Sequence, residues 1–235
     1  MSSGKLQVVG PGDAIADLPD TGEVRVGAGV IAADRLLRTV RAGVPRQTKN
    51  RKIWTEGRSK RYAPCVGDNV IGTVIERRSD DFVVDIGGPF AAVLNTLAFE
   101  GATRRNRPKL VEGDLVYARV VFAHKDTDTE LTCLEVTGKA GGFGPLKGGM
   151  SINCGSALSR RLLAVPPAPV LTALGETLKY EIAVGQNGRM WIDAPRSASV
   201  VLIANAIERS EFLREDQTRL LVQKLTSHMD RLDDG

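Results

Sequence analysis

The stretch from Val66 to Thr137 constrains this chain most, because short apolar runs with a period of two follow one another there with turn residues between them. Asn69 to Ile75 reads as a first strand, and an exposed turn at Arg77 to Asp81 leads into a second, Phe82 to Ile86. In that second strand Phe82, Val84 and Ile86 share one face, and Val83 and Asp85 the other. Gly87-Gly88-Pro89 supplies a bend before a third strand, Phe90 to Leu94. A polar insert, Glu100 to Lys109, precedes a fourth strand, Asp114 to Ala123, in which Val116, Ala118, Val120 and Phe122 alternate with Leu115, Tyr117, Arg119 and Val121. Glu130 to Val136 completes the set.

Five short strands with a long connection between the third and fourth predict an OB-type barrel, a fold that binds oligonucleotides across its second and third strands and the flanking loops. The flanks have different textures. Residues Met1 to Pro64 mix short apolar pieces, Leu6 to Val9 and Gly27 to Ile31, with turn formers at Pro11-Gly12-Asp13 and Pro19 to Gly22, which predicts a small β-rich unit. That unit ends in a basic stretch, Arg46 to Arg61, with Arg46, Lys49, Arg51, Lys52, Arg58, Lys60 and Arg61 around Trp54; a solvated loop or hairpin anchored by the Trp accounts for it.

Beyond the barrel, Gly138 to Gly149 is rich in glycine and reads as a joint that Phe143 and Leu146 pack in place. The rest alternates helix and strand. Helices are expected over Ser156 to Ala164, Pro169 to Gly175, Ala198 to Arg209 and from Glu215 onward, with strands at Tyr180 to Val184 and Met190 to Ala194. In the last helix Thr218, Leu221, Val222, Leu225 and Met229 line one face.

A chain of 235 residues is long enough for two or three compact units, and 42% hydrophobic residues can fill their cores. The net charge of +4 agrees with an RNA-facing protein but does not require one. Cys65, Cys133 and Cys154 are widely spaced and lack the close Cys or His pairs that zinc needs, so they are expected to be buried thiols in a reducing compartment. No run of about 18 apolar residues is present, so a membrane span is not expected and the protein should be cytoplasmic or nuclear.

Three motifs bear on function. Gly185-Gln-Asn-Gly188 satisfies the G-x-x-G pattern by which KH domains clamp an RNA backbone, but that clamp joins two helices. Here the flanks are strand-like, and Asn-Gly favours a hairpin turn, so a structural turn is the better reading. Arg104-Arg-Asn-Arg-Pro-Lys109 is the densest basic patch on the barrel; Arg104, Arg105, Arg107 and Lys109, with Arg77, Arg78 and Lys125 on the rim, are the candidate phosphate contacts. Phe82 and Phe90 are candidates for base stacking, although Phe82 shares its face with Val84 and Ile86 and so suits the core.

Catalysis has no visible framework. No Ser-His-Asp, Cys-His, Walker or dinucleotide pattern occurs, His124 and His228 fall in different parts of the chain, and Asp126 to Glu130 is an acidic turn without the calcium-loop glycine. No metal or cofactor is expected.

These pieces, taken in order, resemble the cap subunits of the RNA exosome that carry an N-terminal domain, an S1-type OB domain and a KH domain. The resemblance rests on Pro11-Gly12-Asp13, Val66-Gly-Asp68 with Gly72 and Val74, Phe99 to Pro108, Gly113 to Tyr117, Gly142-Phe-Gly144 and Val184 to Ile192, and it covers nearly the whole chain. Ala102 to Pro108 together with Asn187-Gly-Arg-Met-Trp191 points to the component-three branch of that group. The implied fold is multi-domain, mainly β then α+β: an N-terminal β-rich domain over 1–64, an S1-type OB-fold barrel over 65–138 and a KH-type domain over 139–235.

The resemblance implies a non-catalytic role. Such subunits sit on a ring of RNase PH-like subunits with other cap subunits, help hold it together, and guide single-stranded RNA toward a separate nuclease, in the nucleus, nucleolus and cytoplasm. It also implies that Gly185, Asn187, Gly188 and Trp191 are structural, packed between the OB and KH domains, and that Arg104, Arg105, Arg107, Lys109 and Lys125 face RNA or neighbouring subunits. Two other classes compete. A free-standing S1/KH regulator would bind RNA tightly by itself, and an exoribonuclease would need a phosphorolytic core for which these residues leave no room.

Overall fold

The structure is a computed structural model that describes residues 8–19, 23–48, 51–57, 61–124 and 126–233, the last six by backbone alone. Of the residues singled out in the sequence, Leu6, Gln7, Asp20, Thr21, Gly22, Lys49, Arg58, Lys60 and Lys125 and the side chains of His228 and Met229 lie outside the described ones. The chain divides after residue 59 into two compact units.

The first unit holds β1 (Ala14–Asp17), β2 (Arg25–Val26), β3 (Val30–Ala33), β4 (Leu36–Thr39), β5 (Val44–Gln47) and β6 (Lys52–Glu56). They form two three-stranded sheets, β1-β4-β3 and β2-β6-β5, over a small core of Val30, Leu37 and Ile53. Asp34 and Arg35, both at positive φ (53° and 60°), make the two-residue turn between β3 and β4, because a left-handed pair matches the twist of the strands. Among the described residues of the basic stretch, β5 and β6 pair antiparallel, with Trp54 half-buried and Arg46 paired with Glu56 at 2.8 Å.

The second unit begins with the barrel: β7 (Asn69–Arg77), β8 (Asp81–Asp85), β9 (Ala92–Asn95), β10 (Leu115–His124) and β11 (Thr127–Thr132). Pairing runs β7–β8–β9–β11–β10 and returns from β10 to β7, antiparallel except for β9 with β11. The first strand is thus hydrogen-bonded to both the second and the fourth, which closes the OB barrel. The alternation written in the sequence fills it: Val70, Val74, Phe82, Val84, Ala92, Leu94, Val116, Ala118, Val120 and Leu131 are all buried inside. Gly72 is a packing requirement, since a Cβ there would lie 2.2 Å from Val84 Cγ1.

Three details differ from the sequence reading. The fifth strand spans Thr127 to Thr132 and not Glu130 to Val136, with Thr129 pointing inward and Glu130 outward, so of the acidic run Asp126 is turn and Thr127 to Glu130 are strand. The third strand starts at Ala92, leaving Phe90 in the bend, 56% exposed. Cys65 is exposed, Cys154 is half-buried, and only Cys133 is fully buried; burial pushes the Cys133 thiol up to about 12 and that of Cys154 to about 11. The glycine-rich joint is ordered into the barrel: β12 (Gly144–Leu146) pairs with β10 from Leu115 to Tyr117, and Phe143 packs on Tyr117 with ring centroids 5.1 Å apart.

There follow β13 (Met150–Asn153), α1 (Ser156–Leu162), α2 (Pro169–Thr177), β14 (Glu181–Val184), β15 (Arg189–Asp193), α3 (Ser197–Ser210) and α4 (Glu215–Asp233). The antiparallel sheet β13-β15-β14 is covered by helices, with Leu158, Leu174, Met190, Ile192, Ile203, Ala206, Ile207 and Val222 as its core. This order, βααββα followed by an extra helix, is a KH-type α+β domain. Helix starts follow the sequence: Pro169 opens α2, where a missing N–H costs nothing, and Glu215 and Asp216 occupy the first turn of α4. The Arg161 guanidinium donates to the carbonyls of Ser210, Glu211 and Leu213, satisfying groups that the end of α3 leaves without helical partners. Among the described residues no helix is long and apolar enough to cross a membrane, and no group of three His, Cys, Asp or Glu is placed to hold a metal ion.

Candidate RNA interface

The OB surface that usually meets oligonucleotides is the outer face of β8 and β9. Here it presents Asp81, Val83 and Asp85 from β8 and Val93 and Asn95 from β9, with no aromatic ring on which a base could stack. Phe82 points the other way, fully buried and edge-on to Phe99 at 6.3 Å between centroids. A cleft of about 480 Å³ continues this face across β9, β11 and β10, and its polar lining includes the carboxylates of Asp128 and Glu130 beside Phe122. Phosphate is repelled from such a surface.

The basic residues gather instead on the connection from β9 to β10. Thr96 donates both its N–H and its hydroxyl to the Asp80 carbonyl, each at 3.0 Å, which ties the start of this connection to the β7–β8 turn. Arg107 completes the attachment from further along the loop: its guanidinium donates to the Ser79 carbonyl and pairs with Asp80 Oδ1 at 3.1 Å. Arg104 and Arg107 thereby line one cleft of about 380 Å³ together with Asp80, Asn95, Thr96 and Leu97. Arg105 and Lys109 are exposed on the same loop, and Arg77 is exposed at the end of β7. Arg78 is paired with Glu76 at 3.3 Å, whose hydrogen bond and charge raise the pKa of the guanidinium. Lys125 cannot be placed with them, lying outside the described residues.

The Gly185–Gly188 segment is the turn between β14 and β15, while the connection between α1 and α2 is Leu163 to Ala168 and contains Pro166-Pro167 in place of a G-x-x-G. The turn faces the barrel. Gln186 and Asn69 exchange two bonds of 2.7 Å, the Gln186 N–H donating to the Asn69 carbonyl and Gln186 Oε1 accepting the Asn69 N–H. Asn187 Nδ2 donates to the carbonyls of Ile71 (2.8 Å) and Ile86 (2.9 Å), and its Oδ1 accepts the Ile71 N–H at 3.3 Å. Gly188 sits at φ 76°, and a Cβ there would lie 2.7 Å from the Cys154 carbonyl. A Cβ on Gly185 would lie 2.9 Å from the Ile71 nitrogen.

Behind the turn, Trp191, Ala183 and Ile71 form a buried cluster with Leu115, Tyr117 and Leu146, and the indole N–H of Trp191 donates to the Gly148 carbonyl at 2.9 Å. Arg189 adds a charged contact: it donates to the Asp85 carbonyl at 2.7 Å and pairs with the Asp85 carboxylate at 2.5 Å. Burial pushes the Asp85 carboxyl up, but the hydrogen bonds from Arg189 and the Gly87 N–H, with the Arg189 charge, outweigh it and hold the pKa below the usual value. Gln186, Arg189, Asn69 and Asp85 were not visible as a set in the sequence. Arg189 follows the turn directly, but nothing local marks Asp85 as its partner.

The architecture is that of an S1/OB barrel fixed to a KH domain, a pairing characteristic of RNA-binding proteins. Comparison with known proteins agrees. Residues 62–144 match the S1 domain of exosome complex component RRP40, and residues 149–198 match a KH domain. The chain is 40% identical to exosome complex component rrp40 of Schizosaccharomyces pombe over 91% of its length and 92% of that protein's. It is 40% identical to the Drosophila melanogaster RRP40 component, covering 87% and 89% of the two chains. A crystal structure of a chain assigned as an exosome complex RNA-binding protein superposes with a TM-score of 0.61 at 24% identity, covering 73% of this chain and 98% of that one, and shows the shared fold. The chain belongs to the exosome complex component RRP40 family, and none of these relatives is named as an enzyme.

Proposed function

We propose that this protein is a non-catalytic RNA-binding cap subunit of an exosome complex, which stabilises a ring of RNase PH-like subunits and guides single-stranded RNA toward the nuclease that the complex carries. The observation that carries this reading is the fixed junction between barrel and KH domain. The turn that spells G-x-x-G spends the Gln186 N–H and Oε1 and both ends of the Asn187 carboxamide on Asn69, Ile71 and Ile86, so these groups are committed to the barrel and not to an RNA backbone. A barrel and a KH domain held together as one piece, with basic residues gathered on the β9–β10 connection, suit an entrance through which RNA passes. Arg104, Arg105 and Lys109 meet phosphates, with Arg77 at the margin and Lys125 as a further basic contact expected from the sequence, and Arg107 holds the loop in place. Gly185, Asn187, Gly188 and Trp191 are structural. The domain limits fall near residues 64 and 138, with β12 beyond the second limit still paired to the barrel, and the protein works where exosomes do, in the nucleus, nucleolus and cytoplasm.

The purified chain tests the reading. Incubated with single-stranded RNA and either phosphate or magnesium, it should leave the RNA intact, and it should bind that RNA with modest affinity and a shallow salt dependence, since few phosphates are neutralised. Turnover of the RNA, or tight binding by the isolated chain, would overturn it.

A further inference from the structure

The cleft between the β7–β8 turn and the β9–β10 connection has a composition that charge alone does not explain. A phosphate site would be lined by donors throughout. This one, about 380 Å³ in volume, carries a carboxylate, a carboxamide and an aliphatic side chain beside its two arginines. The volume lies toward the small end of ligand sites, which run from about 300 to 1,000 Å³, and suits one nucleotide but not several.

The polar groups are fixed. Asn95 Oδ1 accepts the Leu97 N–H at 2.8 Å, which assigns the amide oxygen to the backbone and leaves Nδ2 as the donor end of a residue that lines the cleft. Asp80 is held by Thr96 through its backbone and by Arg107 at Oδ1, yet its side chain is 74% exposed and can accept further hydrogen bonds. Leu97, 46% exposed, offers an apolar surface for a ring to lie on. Arg104 is exposed at the cleft and is available for a phosphate.

We infer that this cleft is a base-selective subsite that takes a single unstacked guanine of a single-stranded RNA, with Asp80 accepting from its N1–H and N2 amino group and Asn95 Nδ2 donating to its O6. The inference rests on the proposed RNA-binding function and deepens it. A carboxylate only accepts hydrogen bonds, and guanine alone among the four bases presents two adjacent donors on its Watson–Crick edge. Adenine and cytosine place a ring-nitrogen acceptor beside their amino group, and uracil flanks its one N–H with two carbonyls. Each of these sets an acceptor against Asp80. Arg104 would hold the adjoining phosphate without regard to sequence.

The experiment measures binding of the full-length chain to fluorescent oligouridylates that carry one central G, A, C or U, by anisotropy at low salt. The single-G oligomer should bind about tenfold more tightly than all-U, the scale of one good base contact. Asn95→Asp keeps an oxygen for the Leu97 N–H but sets an acceptor against O6, so it should erase the guanine preference while the melting temperature and all-U binding persist. Asp80→Asn should erase it as well. Equal affinity for all four oligomers would sink the subsite and leave the RNA-binding reading standing, whereas no binding to any oligomer contradicts both. A guanine preference that survives both substitutions places the selectivity elsewhere and overturns the assignment.

Discussion

The side-chain amide of Asn187 takes both backbone hydrogen-bonding groups of Ile71, donating from Nδ2 to its carbonyl at 2.8 Å and accepting its N–H on Oδ1 at 3.3 Å. A carboxamide can do this because it carries a donor and an acceptor side by side, as a neighbouring strand's peptide group does. The KH domain is thus attached to β7 by a side chain that imitates a strand. Asn187→Ala leaves both Ile71 groups and the Ile86 carbonyl without this partner in a half-buried interface and should cost about 2–3 kcal/mol, measured by urea unfolding. Asn187→Asp should cost more at neutral pH, because its carboxylate would face two carbonyls where Nδ2 now donates. If both substitutions melt like the wild type, the junction is not held by this residue.

Gly188→Ala should lower stability by at least about 1–2 kcal/mol, the cost of left-handed backbone to a residue with a Cβ, and more where the new Cβ meets the Cys154 carbonyl. If RNA affinity fell while the thermal midpoint held, the turn would be a clamp after all.

The Asp85–Arg189 pair makes part of the stability depend on pH. The Asp85 pKa is lowered in the fold, so its contribution is fully present above the unfolded value of about 3.8 and is lost as pH falls through the lower folded value. The stability difference between the wild type and Asp85→Asn should therefore be flat from about pH 5 to 8 and shrink only below about pH 4. A difference that changes most near neutrality would mean another group is responsible.

The arginines of the β9–β10 connection should separate by role. Arg104→Glu with Arg105→Glu should weaken RNA binding and flatten its salt dependence by about 0.7 in the log–log slope for each phosphate no longer neutralised, with little change in the melting temperature. Arg107→Glu should also lower the melting temperature, since it breaks the tie to Ser79 and Asp80. Identical behaviour of the two variants would refute the distinction.

Phe82→Ala should cost about 3–5 kcal/mol as a large-to-small change in a closed core, whereas Phe90→Ala should stay within about 0.5 kcal/mol. Calorimetry on the pair checks the assignment of the first ring to the core and the second to the surface.

Much of the barrel was legible because β8 and most of β10 alternate: Phe82 and Val84, or Val116, Ala118 and Val120, declare an inner face by spacing alone, whereas a register shift after Val120 leaves Phe122, which the same spacing put on that face, 45% exposed. Strand ends were less so. Asp126 to Glu130 looks like a turn by composition, and only pairing with β9, which sets Thr129 opposite Ala92 and Leu131 opposite Leu94, makes a strand of it from Thr127 onward. The junction was legible in part, since Asn187-Gly188 marks a turn locally, but the groups it binds lie 116 residues away at Ile71, and no local pattern encodes such a partner. The basic loop was visible as charge. Its division into Arg107, which is structural, and Arg104, which is open, depends on where the β7–β8 turn lies, and that is a tertiary fact.

The central claim, that this chain is built into an exosome as a cap subunit, is tested most directly by affinity purification of the tagged full-length protein followed by mass spectrometry. RNase PH-like subunits and other S1-bearing cap proteins should co-purify in stoichiometric amounts and resist nuclease treatment. Recovery of the chain alone, or with partners that disappear when RNA is digested, would contradict it.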